Sequence, residues 1–320
     1  MVETKPKATR DGFGEALVEL GRTNKDVVVV SADLTESTRA NWFKKEFPER
    51  FFALGIAEQD MFGTAAGLAL SGKIAFACTF AVFASGRAWD QARVSLCYMQ
   101  TNVKIGATHG GISVGPDGAT HQALEDIAIM RALPNMKVIV PADSIQAKKA
   151  TMAAAISPGP AYLRFGRSPV PYVTNEKDEF RIGKMDLLKD GKDVAIIACG
   201  VMVHNALEAT KALELKGINA MVLNAHTIKP IDKDAIVKAA QKTGAIVTCE
   251  EHSVIGGLGG AVSEVVVKDG PVVPMEMIGT QDMFGESGEP AELMKKYHLA
   301  LEDIVLAAEK AIERKVKSKK

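Results

Sequence analysis

Two places in the chain put acid–base side chains where plain structure does not require them. The stretch THGGISVGPDGATHQ, residues 108–122, holds four glycines together with His109, Asp117 and His121. A tight surface turn explains the glycines, but not three titratable groups spaced eight and four residues apart. Metal ligation is one use for such a set, yet the HxxxH or HExxH register that puts two imidazoles on one helical face is missing. The second place is FFALGIAEQDMFGTAAGLALSG, residues 51–72, where Glu58 stands at a strand-to-helix turn, hemmed in by apolar neighbours. At a helix start a carboxylate favours the macrodipole. In a partly dry pocket, burial favours its protonated form.

Both places need the same scaffold. Apolar, β-branched runs recur as VVVVS (27–31), FFAL (51–54), IAFACTF (74–80), NVKIGA (102–107), KVIVPA (137–142) and AYLRFG (161–166). Helical patterns such as GRAWDQARVSLCYMQ and SIQAKKATMAAAIS lie between them. Near-continuous apolar strands separated by helices predict βαβ units and a parallel sheet covered on both faces. In such a sheet, ligands gather at the carboxyl ends of the strands. Glu58 follows strand 51–54, the loop 108–122 follows strand 102–107, Arg167 follows strand 161–166 and SADLTES (31–37) follows strand 27–30. Four polar clusters therefore fall on one edge.

A stretch rich in proline and charge, SPVPYVTNEKDEFRIGKMDLLKDGK (168–192), has weak periodicity and reads as a linker. The alternation then restarts with DVAIIACG, a helix over 202–216, INAMVLN, a helix over 232–242, AIVTCEE, a helix over 258–268, VPMEMIG and two closing helices. The expected fold class is α/β, with two parallel-sheet-rich domains: 1–167, a linker over 168–192, and a smaller domain over 193–320.

Composition narrows the function. With 320 residues at 47% hydrophobic, the chain can bury two cores. Lys plus Arg (39) balance Asp plus Glu (39), so no overall field selects nucleic acid or an anionic membrane. The basic tail ERKVKSKK reads as a solvated helix end. Cys78, Cys97, Cys199 and Cys249 form no CxxC pair and read as buried thiols of a reducing compartment. The start, MVETKPKATR, is too polar for a signal peptide. The apolar stretch 62–86 could pass for a membrane span, but SGK at 71–73 splits it into a helix and a strand. A soluble cytoplasmic protein is expected.

GGLGG (256–260) follows a strand and opens a helix, but it does not complete GxGxxG and reads as a close-packing turn. TFAVF (79–83) reads as core until Glu58 is set beside it. Taken together and in order, SADLTES, GIAEQ, TFAVF, THGGISVGPDGATHQALED, LPNMKVIVPAD and FGESG resemble the transketolases. The resemblance covers nearly the whole chain, but only the pyrimidine-binding and C-terminal domains of that family. The GDG…N magnesium motif of the diphosphate-binding domain does not occur. The chain thus looks like the C-terminal subunit of a split transketolase.

The resemblance implies thiamine diphosphate shared with an N-terminal, diphosphate-binding partner subunit that also binds Mg2+ or Ca2+, with active sites lying between chains of an α2β2 heterotetramer. It makes Glu58 the acid hydrogen-bonded to the aminopyrimidine, which favours the imino tautomer that deprotonates the thiazolium carbon. Phe80 and Phe83 would wall the pyrimidine. Where many transketolases carry a third aromatic, this chain has Gly86. Asp33 would sit near the cofactor at the subunit interface. Arg10, Ser37, His109 and Arg167 would surround a substrate phosphate, for which guanidinium, hydroxyl and imidazole are fitting partners. Arg10 and Ser37 on their own also suit helix-start and capping roles. Asp117 would hold a substrate hydroxyl, and His121 would lie by the reacting carbon. The activity implied is transfer of a two-carbon ketol unit between ketose and aldose phosphates, as in the pentose phosphate pathway.

Three other readings stand beside it. Deoxyxylulose-phosphate synthase shares GIAEQ and RA[aromatic]DQ, here Arg87 to Gln91, but commonly lacks a histidine at the position of His109. The beta subunit of a 2-oxoacid dehydrogenase shares the two-domain layout but lacks DGATHQ. A non-catalytic regulatory subunit is the third, against which the intact Glu58 and phosphate cluster argue.

Overall fold

The computed structural model describes residues 5–317. The polar stretch at the start and the basic tail therefore lie partly outside the described residues. Among the described residues, fourteen strands form three sheets. The largest contains β2 (Val27–Ser31), β3 (Phe51–Ala53), β4 (Ile74–Phe80), β5 (Val103–Thr108), β6 (Lys137–Ile139), β7 (Ala161–Arg164) and β12 (Thr227–Lys229), in the order β12-β6-β7-β5-β4-β2-β3. All its pairings are parallel except β12 with β6. The second holds β9 (Asp186–Lys189), β10 (Val194–Ala198), β11 (Ala220–Asn224), β13 (Ile246–Ser253) and β14 (Met275–Thr280), in the order β14-β13-β10-β11-β9. Only β9 with β11 is antiparallel there. The protein is α/β, with two mostly parallel sheets.

The strands are apolar on both faces because helices cover both. Val28, Val30, Ala75, Ala77, Val103 and Ile105 face one cluster, with Phe62, Ala65 and Leu96 against them. Val27, Val29, Phe76 and Leu163 face the other, with Phe13, Leu17, Ala147 and Ala150. The first of these clusters continues into the second half of the chain through Ile197, Leu223 and Val262, so the two sheets share core. At about 25 cal/mol per Å² of apolar area removed from water, this shared burial is what fixes the domains against each other.

Two short elements bear on the site. β1 (Lys7–Ala8) pairs antiparallel with β8 (Pro169–Val170), matching Lys7 with Val170 and Ala8 with Pro169. Gly166 N also donates to Thr9 Oγ1 at 2.7 Å. This two-strand clip brings Arg10 and Arg167, 157 residues apart, to one place. Across the stretch 168–192 the structure thus has β8 and β9, each pairing with a distant part of the chain. The apolar stretch 62–86 divides where Ser71 and Gly72 turn between helix Glu58–Leu70 and β4. Among the described residues, no helix is long and apolar enough to cross a membrane.

Candidate active site

Because the main sheet is parallel from β6 to β3, its strands release their loops on one edge. Reading across, that edge presents Arg167 after β7, His109 after β5, Phe80 at the end of β4, Asp33 and Ser37 after β2, and Glu58 after β3. Arg10 joins them from the first turn of helix Thr9–Thr23.

A cavity of about 390 Å3 opens among Arg10, Glu36, Ser37, Arg39, Phe80, His109, Asp117 and Arg167. Arg10 donates from Nη1 to the Ser37 carbonyl at 2.9 Å and meets His109 Nε2 at 3.3 Å. A guanidinium can only donate, so Nε2 is the accepting nitrogen. The ring proton therefore sits on Nδ1, which lies 2.9 Å from Thr108 Oγ1. Burial pushes His109 down to about 3, with Arg10, Arg167 and Arg39 adding to the effect. Burial also lowers Arg10, to about 10, and Arg39 contributes. Both ring nitrogens of His109 are thus engaged, Nε2 by Arg10 and Nδ1 by Thr108. Arg167 donates from Nη1 to the Val114 carbonyl at 2.7 Å, which ties it to the same loop. His109 and Arg39 both hold φ near the left-handed region, +60° and +66°, a strain that persists only where surroundings enforce it.

Phe80 joins this cavity to a second group of side chains. Its ring stacks on His109 at 3.8 Å between centroids and lies nearly parallel to Phe83, 12° and 6.0 Å away. His121 meets Phe83 edge-on at 5.5 Å, and its Nδ1 is 2.9 Å from Thr120 Oγ1. Glu58 opens helix Glu58–Leu70 and is 1% exposed. Its Oε2 accepts from Arg87 Nη1 at 2.7 Å, and its Oε1 accepts from Thr79 Oγ1 at 3.4 Å. The sequence led one to expect apolar neighbours in a partly dry pocket; Glu58 is buried, and a guanidinium reaches it from the half-exposed Arg87.

The structure brings Arg10, Ser37, His109, Asp117 and Arg167 around one cavity, and Glu58, Phe83 and His121 beside it through Phe80. Asp33 is exposed, holds φ +58° and is not among the cavity's lining residues. Residues that sequence reasoning did not single out are Arg87, Thr79, Glu36 and Arg39. Arg87 was within a quoted motif, and its position four residues after Phe83 was the signal, since i and i+4 share a helical face. Among the described residues, no three His, Cys, Asp or Glu side chains gather as a metal site would need. The four cysteines are buried and free.

Residues 5–172 match the transketolase pyrimidine binding domain, and residues 183–304 match the transketolase C-terminal domain. The chain belongs to the transketolase family. Among its transketolase relatives, a Methanocaldococcus jannaschii protein provisionally named transketolase C-terminal section is 50% identical over 300 residues, covering 93% of this chain and 94% of that protein. A 6-deoxy-6-sulfo-D-fructose transketolase subunit from Clostridium sp. is 42% identical, covering 96% of this chain and 95% of that one. A solved structure described as a split gene transketolase, inactive beta4 tetramer, superposes with a TM-score of 0.90 at 52% identity, over 96% of this chain and 99% of that one.

Proposed function

We propose that this chain is the C-terminal subunit of a split, thiamine diphosphate-dependent transketolase, working in the cytoplasm with an N-terminal partner subunit. Residues 1–167 would form its pyrimidine-binding domain, 168–192 the linker and 193–320 the C-terminal domain. The reaction is ketol transfer: the C2–C3 bond of a ketose phosphate breaks, and the two-carbon unit forms a new bond to the aldehyde carbon of an aldose phosphate. The observation that carries the reading is Phe80. One ring borders the arginine-lined cavity on one side and runs parallel to Phe83, towards buried Glu58, on the other.

The side chains present suit the pyrimidine half of the cofactor. Glu58 is a buried carboxylate whose cationic partner, Arg87, has a side chain 46% exposed. Phe80 and Phe83 offer a near-parallel aromatic wall. Thiamine diphosphate, when bound, supplies the electron sink that lets the donor's carbon–carbon bond break. Glu58 would present its carboxyl group to a ring nitrogen of the cofactor, with the proton shared between them and Arg87 displaced. Arg10 and Arg167 grip the substrate phosphate with charge-assisted hydrogen bonds, and Ser37 adds a hydroxyl. His109, neutral at working pH, aims Arg10. Asp117 accepts from a substrate hydroxyl, His121 lies by the reacting carbon, and Asp33 faces the subunit interface. The diphosphate and its Mg2+ or Ca2+ belong to the partner, in an α2β2 assembly.

The names of the relatives support the split arrangement, and the free, buried cysteines support a reducing compartment. The test is reconstitution. The purified chain is expected to bind thiamine diphosphate weakly and to show no turnover of ketose phosphates, whereas adding the diphosphate-binding subunit restores both. Appreciable turnover by the chain alone would overturn the proposal.

A further inference from the structure

We propose that Glu251, which belongs to the second domain, is a positioning residue for the loop that carries His109 and Asp117. The proposal rests on the reading of that loop as the substrate side of the site.

Glu251 lies near the end of β13 and is 3% exposed. Its side chain leaves its own domain and enters the first, where Oε1 accepts from Ser113 N at 2.5 Å. Ser113 stands four residues after His109 and four before Asp117. The loop backbone is shaped to admit this carboxylate. Gly111 has φ +96°, and a Cβ there would stand 2.3 Å from Glu251 Cδ. A Cβ on Gly110 would stand 2.7 Å from Arg164 Nε. The two glycines beside His109 thus serve close approach by a carboxylate and a guanidinium, which the turn reading of the sequence had not distinguished.

Arg164 links the two anchors. It donates from Nη2 to the Glu251 carbonyl at 2.9 Å and to the Ala123 carbonyl at 3.1 Å, and from Nε to Asp126 Oδ2 at 2.8 Å. Gly111 N donates to that same Ala123 carbonyl at 3.0 Å. The second domain holds the loop at one more point, where Gln122 Nε2 donates to the Ile112 and Glu286 carbonyls at 3.1 and 2.9 Å.

A buried acid is a poor means of gaining stability, since its desolvation offsets much of what its partners return. Burial indeed pushes the Glu251 carboxyl up, against the pull of Arg164. What the carboxylate does provide is an acceptor at one fixed point, directed at the backbone between His109 and Asp117. A misplacement of about 1 Å in such a loop can cost on the order of 10²-fold in rate.

The test compares Glu251→Ala with Glu251→Gln, which keeps the shape and one accepting oxygen. In the free chain, 1H–13C spectra of the histidine Cε1–H groups report the loop without any need for turnover. Glu251→Ala is expected to shift or broaden His109 and His121 while leaving exposed His298 unchanged, and Glu251→Gln to restore the wild-type positions. In the complex with the partner subunit, Glu251→Ala should raise KM for a ketose phosphate and lower kcat/KM by about 10²-fold. Its affinity for thiamine diphosphate should stay within a few-fold, and Gln should rescue most of the loss. Wild-type His109 and His121 signals in Glu251→Ala, or a Gln variant as impaired as Ala, would overturn the proposal. Absence of turnover in the wild-type complex would instead count against the proposed function, and the spectra would still test the positioning.

Discussion

Arg87 Nη1 lies 2.7 Å from Glu58 Oε2, and the same guanidinium sits 4.7 Å over the ring of Phe83. One cation therefore covers both the buried acid and an aromatic face proposed to receive the cofactor's pyrimidine. The five-residue π-helical turn Phe83–Arg87 arranges this, by placing Arg87 above Phe83 within reach of the head of helix Glu58–Leu70. Gly86 leaves open space beside it, since a Cβ there would meet nothing within 4 Å.

If Arg87 stands where the pyrimidine must come, removing it should help the cofactor in. Arg87 is half exposed, so solvent screens much of its attraction to Glu58 and the gain is expected to be modest. Arg87→Met is therefore expected to tighten thiamine diphosphate binding modestly in the reconstituted complex, as read by calorimetry. Weaker binding in that variant would mean that Arg87 contacts the bound cofactor and is not displaced by it.

His109 gives the pH behaviour of the site. Its pKa is about 3 in the folded chain, through burial and the neighbouring guanidiniums, against about 6.5 for an ordinary histidine. The unfolded chain thus takes up a proton between those values that the folded chain refuses. The stability linked to His109 is complete above about pH 6.5 and is lost as pH falls towards about 3. His109→Gln removes this liability, so its melting temperature should fall less between pH 7 and pH 5 than that of the wild type. A His109 Cε1–H signal titrating with a midpoint near 6.5 would contradict the assignment.

Much of this was legible beforehand, and the exceptions share a cause. Runs such as VVVVS and IAFACTF must be buried strands, because only a two-sided sheet tolerates continuous apolar β-branched residues. The parallel edge, and with it the clustering of Glu58, His109 and Arg167, follows from that. β12 is only Thr227–Lys229, and it pairs with β6 across 88 residues of chain, Thr227 opposite Ile139. β9 likewise hides in a polar stretch, Asp186–Lys189. Neither carries a local pattern, since each is a strand only by virtue of a distant edge. The same holds for side chains. His109 was readable as a titratable group, but its accepting nitrogen depends on Arg10, and the purpose of Gly111 depends on Glu251.

Arg167 separates ketol transfer between sugar phosphates from related chemistry. A charge-assisted hydrogen bond contributes about 1.5–3 kcal/mol, so Arg167→Ala should lower kcat/KM for xylulose 5-phosphate by about ten- to a hundred-fold. Single-turnover activation of hydroxypyruvate, which has no phosphate, should change little. Because Arg167 also holds the Val114 carbonyl at 2.7 Å, Arg167→Lys serves as a control that keeps the charge. Equal losses for both donors in Arg167→Ala would make the residue structural.

The central claim is that Glu58 is the acid that activates the cofactor. The most direct measurement is hydrogen–deuterium exchange at the thiazolium carbon of thiamine diphosphate bound to the reconstituted complex, in wild type, Glu58→Gln and Glu58→Ala. One positioned acid–base group contributes about 10²–10⁴-fold, so both variants should exchange more slowly by that range, with turnover falling in step and the fold intact. Exchange in Glu58→Ala at the wild-type rate would contradict the account.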